Sequence, residues 1–499
     1  MITWGWSGMS HDASLAVFTD DGLEFAAHSE RYSRIKNDPN LHSDLISEAL
    51  TWGHPDRIYF YERSWLKKLR QLKAGQYNLL HKPSPTKYMQ QYLPTAPRSR
   101  GVSHHLCHAA GGYFTGPYED ATIICIDSIG EFETLSVWNA HGTKLKKVFS
   151  QNYPHSIGLW YSAMTQRLGL KPQEHEYILM GMAALGNPDR LFQEILDEFV
   201  STIGIGYSPS THFNHNLHRG CNWWRPDLTS EQDKYDIAAA VQKVYEYILQ
   251  NILSWASIAT PSNNLVLMGG CALNCAANSI AYRFFDNVWI MPNPGDAGSA
   301  IGCVLAKQKK FMYMDHTYTG HNITGKYPIE SVMHELKTNR ITAVAAGKAE
   351  FGPRALGNRS ILADPRGADV KDRVNSIKQR EPFRPFAPAI LAEYATDYFD
   401  GVTGPYMQFT AKCKRPKEFP AIIHYDGTSR VQAVPAGDTG GFRELLERWY
   451  AETGCPMLLN TSLNIKGEPL VNTRQDAERW TEQYGVKAVS YTHLTLPTN

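Results

Sequence analysis

Three features are missing from this 499-residue sequence, and each absence excludes a class of protein. No run approaches the roughly 20 consecutive apolar residues of a membrane span, and the opening MITWGWSGMSHDAS lacks the basic and apolar regions of a secretory signal. No CxxC pair occurs among the eight cysteines, which disfavours zinc ribbons and disulfide frameworks. No charge dominates, since 50 basic residues balance 49 acidic ones. We therefore expect a cytoplasmic protein with reduced thiols and no membrane partner.

The length predicts more than one domain, because a single core stops growing at a smaller size. Strand patterns alternate with helical periodicity, including a core helix over Tyr235 to Ser257, which indicates an α/β fold without an internal sequence repeat. The polar stretch YMDHTYTGHNITGKYP after Lys310 is typical of a linker. The predicted domains are residues 1–320 and 327–488. The tail 489–499 (VSYTHLTLPTN) has the character of a translated sequencing adapter, which favours an environmental gene, with a phage as the expected source.

Two histidines and two aspartates have the pattern of a metal site. His104 and His108 are four residues apart, so a helix places both imidazoles on one face. Asp127 ends the strand pattern TIICID and Asp296 follows NPG at a helix start, so both can project into a cleft. Ordinary structural roles are the alternative, a helix cap for Asp296, a turn for Asp127 and packing for the histidines. Mixed ligation of this kind favours iron, manganese or zinc over calcium.

A glycine pair ends the strand pattern in LVLMGGCALN and precedes a helix predicted from about Ala272. Gly269 and Gly270 would let the backbone approach a ligand, and the helix start would offer amide donors to a phosphate or ribose. We therefore predict that Gly269, Gly270 and Asn274 bind nucleotide. A tight packing turn between strand and helix is the alternative.

Several longer motifs, in order along nearly the whole chain, resemble the NodU/CmcH-type O-carbamoyltransferases of nodulation-factor and antibiotic biosynthesis. They are GWSGMSHDASLAVF, SERYSRIKND, VSHHLCHAAGGYF, CIDSIGE, EYILMGMAALG, LMGGCALNCAANS, NPGDAGSAIG, EFGPRALGNRSILADPR, IKQREPFRPFAPAI, HYDGTSRVQAV and LLNTSLNIKGEPLV. Two positions depart from the family pattern: Ile178 stands where a lysine is usual, and Ser128 where a glycine is usual.

The resemblance implies an actin/sugar-kinase-like first domain and an α+β second domain resembling threonylcarbamoyl-AMP synthase. It implies an enzyme that uses ATP with Mg²⁺ and carbamoyl phosphate, forms carbamoyl-adenylate in the second domain, and transfers the carbamoyl group to a hydroxyl in the first. Carried over by motif, a divalent metal, expected to be Fe²⁺, would be held by His104, His108, Asp127 and Asp296. His11 of SHDAS, followed by Asp12, would lie at the acceptor as the candidate base.

The second domain is rich in side chains that can bind phosphate. Planar guanidinium groups recognise phosphate oxygens, and carbamoyl phosphate carries about two negative charges near neutral pH, like other phosphate monoesters. The predicted ligands of carbamoyl phosphate and the adenylate are Arg354, Arg359, Lys378, Arg380, Arg430, Asn460 and Ser462. The alternative for each arginine is a solvated surface charge.

The acceptor is predicted from a basic and aromatic segment. Between Tyr59 and Arg100 the sequence interleaves Arg63, Trp65, Lys67, Lys68, Arg70, Lys73, Lys87, Tyr88, Tyr92, Arg98 and Arg100, and HRGCNWWRPD adds Arg219, Trp223, Trp224 and Arg225. Charge with stacking rings is typical of sites for flipped or single-stranded bases. The hypothesis is therefore the 5-hydroxymethyl group of cytosine in viral DNA. A solvated amphipathic helix is the alternative explanation of the segment.

Other functions compete with this prediction. A small-molecule or sugar hydroxyl is the alternative acceptor. A sugar kinase or other ATPase would explain the first domain alone, and a tRNA-modification scaffold would explain the basic segment alone. A homodimer is a further expectation.

Overall fold

The computed structural model describes residues 1–77, 81–201, 208–381, 383–384, 386–438 and 440–490. It divides into two compact units. The N-terminal unit comprises Met1–Ala26 and Pro39–Asp315, and the C-terminal unit comprises Ala27–Asp38 and the chain from His316 onward. The motif SERYSRIKND therefore folds with the C-terminal unit although it lies early in the sequence.

Strands and helices follow in chain order. The strands are β1 (Thr3–Ser7), β2 (Ser14–Phe18), β3 (Leu23–His28), β4 (Arg57–Phe60), β5 (Ser99–Gly101), β6 (Asp120–Gly130), β7 (Glu133–His141), β8 (Lys144–Asn152), β9 (Asn264–Met268), β10 (Asn287–Trp289), β11 (Tyr318–Ile323), β12 (Ile341–Ala345), β13 (Gly347–Glu350), β14 (Arg359–Ala363), β15 (Ala387–Leu391), β16 (Phe399–Asp400), β17 (Ala411–Cys413), β18 (Thr428–Ser429), β19 (Gln432–Val434), β20 (Met457–Ser462) and β21 (Ala488–Val489). The helices are α1 (Glu30–Ser33), α2 (Ser43–Leu50), α3 (Ser64–Lys73), α4 (Pro85–Met89), α5 (His104–Thr115), α6 (Ile157–Arg167), α7 (Glu176–Met182), α8 (Phe192–Phe199), α9 (Glu231–Ala259), α10 (Ser299–Gln308), α11 (Ile329–Asn339), α12 (Ala368–Lys378), α13 (Ala395–Tyr398), α14 (Phe442–Thr453) and α15 (Arg474–Tyr484).

The N-terminal unit contains two five-stranded sheets of the same topology. The first has the order β3-β2-β1-β4-β5 and the second the order β8-β7-β6-β9-β10. In each sheet the first strand pairs antiparallel with the second and parallel with the fourth. This duplicated order is that of the actin and sugar-kinase fold, which confirms the predicted fold class. The two sheets show no sequence repeat, because strand order depends on the pattern of apolar residues rather than on residue identity.

Two helices fill the space between the sheets. α5 packs on β6, β7 and β9 of the second sheet, α10 packs on β1, β2 and β4 of the first, and the two helices pack against each other. Glycine makes this approach possible, since a Cβ added at Gly302 in α10 would lie 2.0 Å from the carbonyl oxygen of Cys107 in α5. Close packing of these helices brings the start of α5 to the start of α10.

The long core helix predicted near residues 235–257 is confirmed as α9. It begins earlier than predicted, because Ser230 and Asp233 form a capping box that extends it to Glu231. By contrast, the helix predicted from Ala272 is wrong. The chain forms only a short 3₁₀ turn at Gly270–Leu273, so no regular α-helix start follows β9.

The C-terminal unit has an α+β core. Its six-stranded mixed sheet has the order β19-β15-β20-β14-β12-β21, and α11 and α14 pack on it. The predicted linker is wrong in part, because its residues 318–323 form β11, which pairs with β13. Of the tail, Val489 pairs with Val344, and residues 491–499 lie outside the described residues.

Two expectations from composition can be compared with the structure. Within the described residues, no helix combines the length and apolar character that crossing a bilayer requires. All eight cysteines are free thiols, and seven of them are buried, as the reduced-core prediction expects.

Candidate active site and metal centre

The two histidines and two aspartates of the predicted metal site meet in the N-terminal unit. His104 Nε2 lies 2.9 Å from an Asp127 oxygen and 3.4 Å from an Asp296 oxygen, and His108 Nε2 lies 3.4 and 3.3 Å from the same two carboxylates. One ligand atom from each residue falls within 4.8 Å of all the others. All four side chains are buried or nearly so. Four donors this close can share one ion.

The electrostatics of this cluster are those of a cation site. Burial lowers the pKa of His104, but the carboxylates of Asp296 and Asp127 outweigh it and raise that pKa well above its ordinary value. Burial likewise raises the pKa of Asp127, and hydrogen bonds from the two histidines outweigh it and hold that pKa well below its ordinary value. The directions of these two shifts favour carboxylate anions, whose negative charge is offset by protons on the imidazoles. A divalent cation can replace those protons.

Strand ends explain why these residues meet. Ligands of open α/β sheets bind at the carboxyl ends of parallel strands. In the second sheet Asp127 lies where the pairing of β6 with β7 is interrupted between Ile126 and Gly130, and Asp296 follows β10. In the first sheet His104 follows β5. The ligands thus come from both copies of the duplicated topology.

On the side away from the carboxylates, packing rather than hydrogen bonding holds the imidazoles. The Nδ1 atoms of His104 and His108 have no hydrogen-bond partner among the described residues. A Cβ added at Gly130 would lie 2.1 Å from Cδ2 of His104, so the turn after β6 packs directly on that ring. Asp127 is held differently, since its Oδ1 accepts the amide of Ser128 at 2.8 Å. Because this bond uses a backbone amide, the serine in place of the usual glycine preserves it.

His11 lies at the open side of the cluster. Its Nε2 is 3.6 Å from an Asp296 oxygen, its Nδ1 is 3.1 Å from Asp12 Oδ2, and its side chain is 40% exposed. The loop is tied to the site because Ser14 Oγ donates to the Ala297 carbonyl at 2.6 Å. Met9 and Asp12 have φ of 68° and 49°, a strained conformation for residues other than glycine. Burial lowers the pKa of His11, but Asp12 and Asp296 raise it to about 9.

The three predicted nucleotide residues have structural contacts. Gly269 has φ of 91°, and a Cβ there would lie 2.1 Å from the Ile126 carbonyl. A Cβ at Gly270 would lie 3.3 Å from Asp127 Oδ1. The amide of Asn274 exchanges hydrogen bonds of 3.0 and 3.1 Å with that of Gln242. The glycine turn therefore packs on the strand that carries Asp127, and the Asn274 amide already has partners.

In the C-terminal unit, Arg359 is a structural residue. It is fully buried, and its guanidinium donates to backbone carbonyls of five residues at 2.8 to 3.2 Å: His321, Ala346, Gly347, Asn358 and Asn472. Its N–H groups are already used, so the phosphate role predicted for it does not fit this geometry.

Lys378 and Ser462 do come together. Buried Lys378 Nζ donates to the Ser462 carbonyl at 2.6 Å and to its hydroxyl at 2.9 Å, and it also bonds to Asn464. Burial lowers the pKa of Lys378 well below its ordinary value, and the neighbouring charges of Arg380 and Arg384 lower it further. Positive charge therefore accumulates at the end of α12, while Arg380 itself lies 3.9 Å above the ring of Phe386.

The remaining predicted ligands lie near or on the central sheet. Asn460 Nδ2 donates to the Gln432 side chain at 2.7 Å, while its Oδ1 is enclosed without a hydrogen-bond partner among the described residues. Arg430 Nε is also enclosed, and it too has no hydrogen-bond partner within the part of the chain that the structure describes. Arg354 is half-buried in the loop between β13 and β14. Enclosed polar atoms of this kind can serve a ligand.

Comparison with known proteins gives the family. The family model described as carbamoyltransferase N-terminus matches residues 98–305, and that described as carbamoyltransferase C-terminus matches residues 333–496. This chain belongs to the carbamoyltransferase family. It is therefore an enzyme, an O-carbamoyltransferase, and its family implies carbamoyl phosphate and a hydroxyl acceptor.

Three relatives illustrate the range of this carbamoyltransferase family. The uncharacterized protein sll1178 of Synechocystis sp. is 31% identical over 95% of this chain and 93% of its own length. Nodulation protein NolNO of Sinorhizobium fredii is 30% identical over 94% of this chain and 76% of its own. The 3'-hydroxymethylcephem-O-carbamoyltransferase of Amycolatopsis lactamdurans is 26% identical over 95% of both.

Two residues that were not predicted from the sequence, Glu350 and Arg31, hold loops of the C-terminal unit. Glu350 Oε1 accepts the amides of Leu356, Asn358 and Arg359 at 2.8, 2.9 and 3.2 Å and so fixes the loop that carries Arg354. Arg31 Nη2 donates to the Gly352 carbonyl at 2.8 Å. The motif letters EFGPRALGNRS and SERYSRIKND contained both residues, but only tertiary contacts reveal their role.

Most of the predicted basic and aromatic segment is structural. Arg63 pairs with buried Glu131 at 2.9 Å, Arg225 pairs with Glu194 at 2.8 Å, and Trp224 is buried. Tyr88 and Tyr92 both bond to the backbone of residue 41. These contacts support the alternative explanation of core aromatics and solvated charges for these residues. Two residues on α3 differ. Lys67 bonds to Ser10 in the His11 loop, and Arg70 Nε and Nη1 have no hydrogen-bond partner among the described residues.

Proposed function

We propose that this carbamoyltransferase converts ATP and carbamoyl phosphate to carbamoyl-adenylate and then transfers the carbamoyl group to a hydroxyl acceptor. The observation that carries the proposal is His11, which lies 3.6 Å from Asp296 of the His–Asp cluster yet keeps a side chain that is 40% exposed. A base that borders both solvent and a buried cation site suits transfer to an acceptor that enters from outside.

Adenylate formation is assigned to the C-terminal unit. Carbamoyl phosphate is hydrolysed to phosphate and carbamate, a carbamate oxygen then bonds to the α-phosphorus of ATP, and pyrophosphate leaves with Mg²⁺. Arg380 and Arg430 would stabilise the negative charge of the phosphates. Lys378, whose Nζ bonds to Ser462 and Asn464, would position Ser462. Asn460 and Ser462 would add hydrogen bonds. We assign no ligand role to Arg359, whose donors are occupied by backbone carbonyls.

Transfer is assigned to the N-terminal unit. The four clustered residues fit a divalent ion. Their mixed nitrogen and oxygen donors suit iron, manganese or zinc, and among these the family resemblance implies Fe²⁺. Such an ion would polarise the carbamoyl carbonyl and, by offsetting the carboxylate charges, lower the pKa of His11. Asp12 orients the His11 ring through Nδ1. His11 takes the hydroxyl proton as the acceptor oxygen bonds to the carbamoyl carbon, and the bond from that carbon to the AMP oxygen breaks.

The proposed acceptor is the 5-hydroxymethyl group of cytosine in DNA. Arg70, whose Nε and Nη1 have no hydrogen-bond partner among the described residues, lies on the same helix as Lys67, which bonds to Ser10 beside His11. This supports an acceptor with phosphates, and a relative is named for carbamoylating a hydroxymethyl group on a cephem. A sugar or small-molecule hydroxyl is the second candidate, and the name of the cephem relative favours a small molecule. Cytoplasmic location, phage origin and a homodimer stay predictions.

Mass spectrometry of nucleosides tests the reaction and the acceptor together. DNA that contains 5-hydroxymethylcytosine is incubated with the enzyme, ATP, carbamoyl phosphate and Fe²⁺. We expect the hydroxymethyl nucleoside to gain one carbamoyl unit only when both cosubstrates are present. Conversion of ATP to AMP and pyrophosphate without this gain would contradict the DNA acceptor and favour the small-molecule candidate.

The role of His11 is separable from adenylate formation. His11→Asn keeps a polar side chain but removes the base, so carbamoyl transfer should fall by about 100-fold or more. Pyrophosphate exchange into ATP that depends on carbamoyl phosphate should stay at the wild-type rate. Loss of both activities would contradict the assignment of His11 to transfer alone.

A further inference from the structure

Arg70 on α3 is a buried cation without a partner. Arg70 is only 7% exposed, and its Nε and Nη1 atoms are enclosed with no hydrogen-bond partner among the described residues. The carboxylate of Glu62 is near enough to affect its pKa, but Glu62 binds Lys67 Nζ at 2.7 Å instead. The residues outside the description contain no aspartate or glutamate that could pair with Arg70.

Burial of an unpaired guanidinium is unfavourable, because it gives up water without gaining a protein acceptor. Arg359 shows the usual structural solution, in which backbone carbonyls accept every N–H group. Among the described residues, Arg70 has no equivalent set of carbonyls. Its donors therefore fit a partner that is not part of the chain.

A second enclosed polar group, on Gln76, is linked to Arg70 through His218. Gln76 Oε1 is enclosed without a hydrogen-bond partner among the described residues, and Gln76 Nε2 contacts His218 Nε2 at 2.5 Å. Burial lowers the pKa of His218, and the nearby charge of Arg70 lowers it further. Arg70 and Gln76 thus present unused donors and an unused acceptor in one region near His218.

This region adjoins the loop that carries His11. Lys67, one turn before Arg70 on α3, bonds to Ser10, the residue before His11. Lys82 bonds to the carbonyl of Met9 in the same loop. α3 follows β4 and the His11 loop follows β1, and these parallel neighbours end at the same edge of the first sheet. Lys67 and Lys82 therefore contact this edge, Arg70 lies one turn further along α3, and Glu62 is the carboxylate bound to Lys67.

We propose that Arg70, supported by Lys67 and Lys82, binds a phosphate group that the hydroxyl acceptor carries. An excess of positive over negative side chains suits an oxyanion, and the guanidinium fork matches phosphate oxygens. The proposal rests on the proposed function and specifies its acceptor class. During transfer the acceptor oxygen bonds to the carbamoyl carbon, AMP leaves, His11 takes the proton, and the acceptor phosphate is unchanged.

The test compares acceptors that share one hydroxymethyl group and differ in phosphate. They are 5-hydroxymethyl-2'-deoxycytidine, its 5'-monophosphate, and a short single strand that contains the same base. The wild-type KM should be about tenfold or more lower for either phosphate-bearing acceptor than for the nucleoside. Preference for the monophosphate would identify a free nucleotide as the source of the phosphate, and preference for the strand would identify DNA.

Arg70→Met should remove this discrimination while carbamoyl-phosphate-dependent pyrophosphate exchange stays unchanged. The matched control is Lys73→Met, which removes an exposed charge from the same helix. Equal KM values for all three acceptors in the wild type would overturn the proposal. So would an equal rise in KM for nucleoside and phosphates in Arg70→Met, since that is the result of a merely structural residue.

A binding arm separates this proposal from the proposed function. The anisotropy of a fluorescent single-stranded oligonucleotide without hydroxymethyl bases, competed with deoxycytidine monophosphate, needs no turnover. Arg70→Met should weaken binding about tenfold, and unchanged binding would overturn the proposal even if carbamoylation occurs. If Arg70→Met does not fold, Lys82→Met is used and should weaken binding in the same direction. Absent adenylate formation with intact, Arg70-dependent binding would contradict the proposed function alone.

Discussion

The predicted metal site and the predicted phosphate site of this carbamoyltransferase differ in how many of their residues the fold brings together. In the N-terminal unit all four predicted metal ligands converge within 4.8 Å. In the C-terminal unit the predicted phosphate ligands divide: Lys378 and Ser462 bond together, Arg430 has an unused Nε, and Arg359 is fixed to backbone carbonyls. Metal ligands are few, short and placed at strand ends, whereas an arginine is long enough to serve either a ligand or the fold.

The comparison is most strongly tested by removing one metal ligand. Asp296→Asn keeps the shape of the side chain but removes a buried negative charge, so we expect loss of bound metal and a fall in carbamoyl transfer of about 1000-fold. Metal analysis of the purified enzyme and transfer kinetics measure both. Asp189→Asn, which removes an exposed carboxylate paired with Lys243, is the control. Full activity in the metal-depleted Asp296→Asn enzyme would show that the cluster is only structural.

A pair of arginine variants tests the division within the C-terminal unit. Arg430→Ala should lower adenylate formation about 100-fold with little change in stability, because it removes charge stabilisation and no protein contact through Nε. Arg359→Met should instead lower the free energy of unfolding by about 3 kcal/mol, because buried carbonyls lose their donor.

Pyrophosphate exchange and urea unfolding, followed by hydrogen exchange in the C-terminal unit, distinguish the two arginine variants. Arg448→Ala, which breaks an exposed pair with Glu330, is the matched control and should change neither quantity. Loss of stability in Arg430→Ala with a normal exchange rate would reverse the assignment.

The smallest expected effect comes from the helix contact that assembles the metal site. Gly302→Ala would place a Cβ 2.0 Å from the Cys107 carbonyl and push α10 from α5. We expect a loss of about 1–3 kcal/mol in unfolding free energy and weaker metal binding. Gly295→Ala is the control, because a Cβ there meets no atom within 4 Å and its φ of −80° suits alanine. Equal metal affinity in both variants would mean that helix packing does not position the ligands.

Much of the fold was predictable, because apolar periodicity reports which faces are buried. The strand patterns TIICID and LVLM were confirmed as β6 and β9, and the predicted core helix was confirmed as α9. The α/β class was confirmed as well. The helix predicted after Gly270 and part of the linker were wrong, because a short 3₁₀ turn and a strand of a two-stranded sheet have weak periodic signals. The duplicated sheet order left no sequence repeat, and the folding of Ala27–Asp38 with the C-terminal unit depends on long-range contacts.

The sequence by itself determined the family, the α/β class and the residue types of the metal site, since each depends on order and spacing. Only the tertiary structure decided that Arg359 holds backbone carbonyls, that Asn274 pairs with Gln242, and that Nε and Nη1 of buried Arg70 have no partner among the described residues. The reason is physical. The same guanidinium or amide forms equally good hydrogen bonds with a carbonyl, a side chain or a phosphate, and the folded surroundings alone determine which acceptor is within reach.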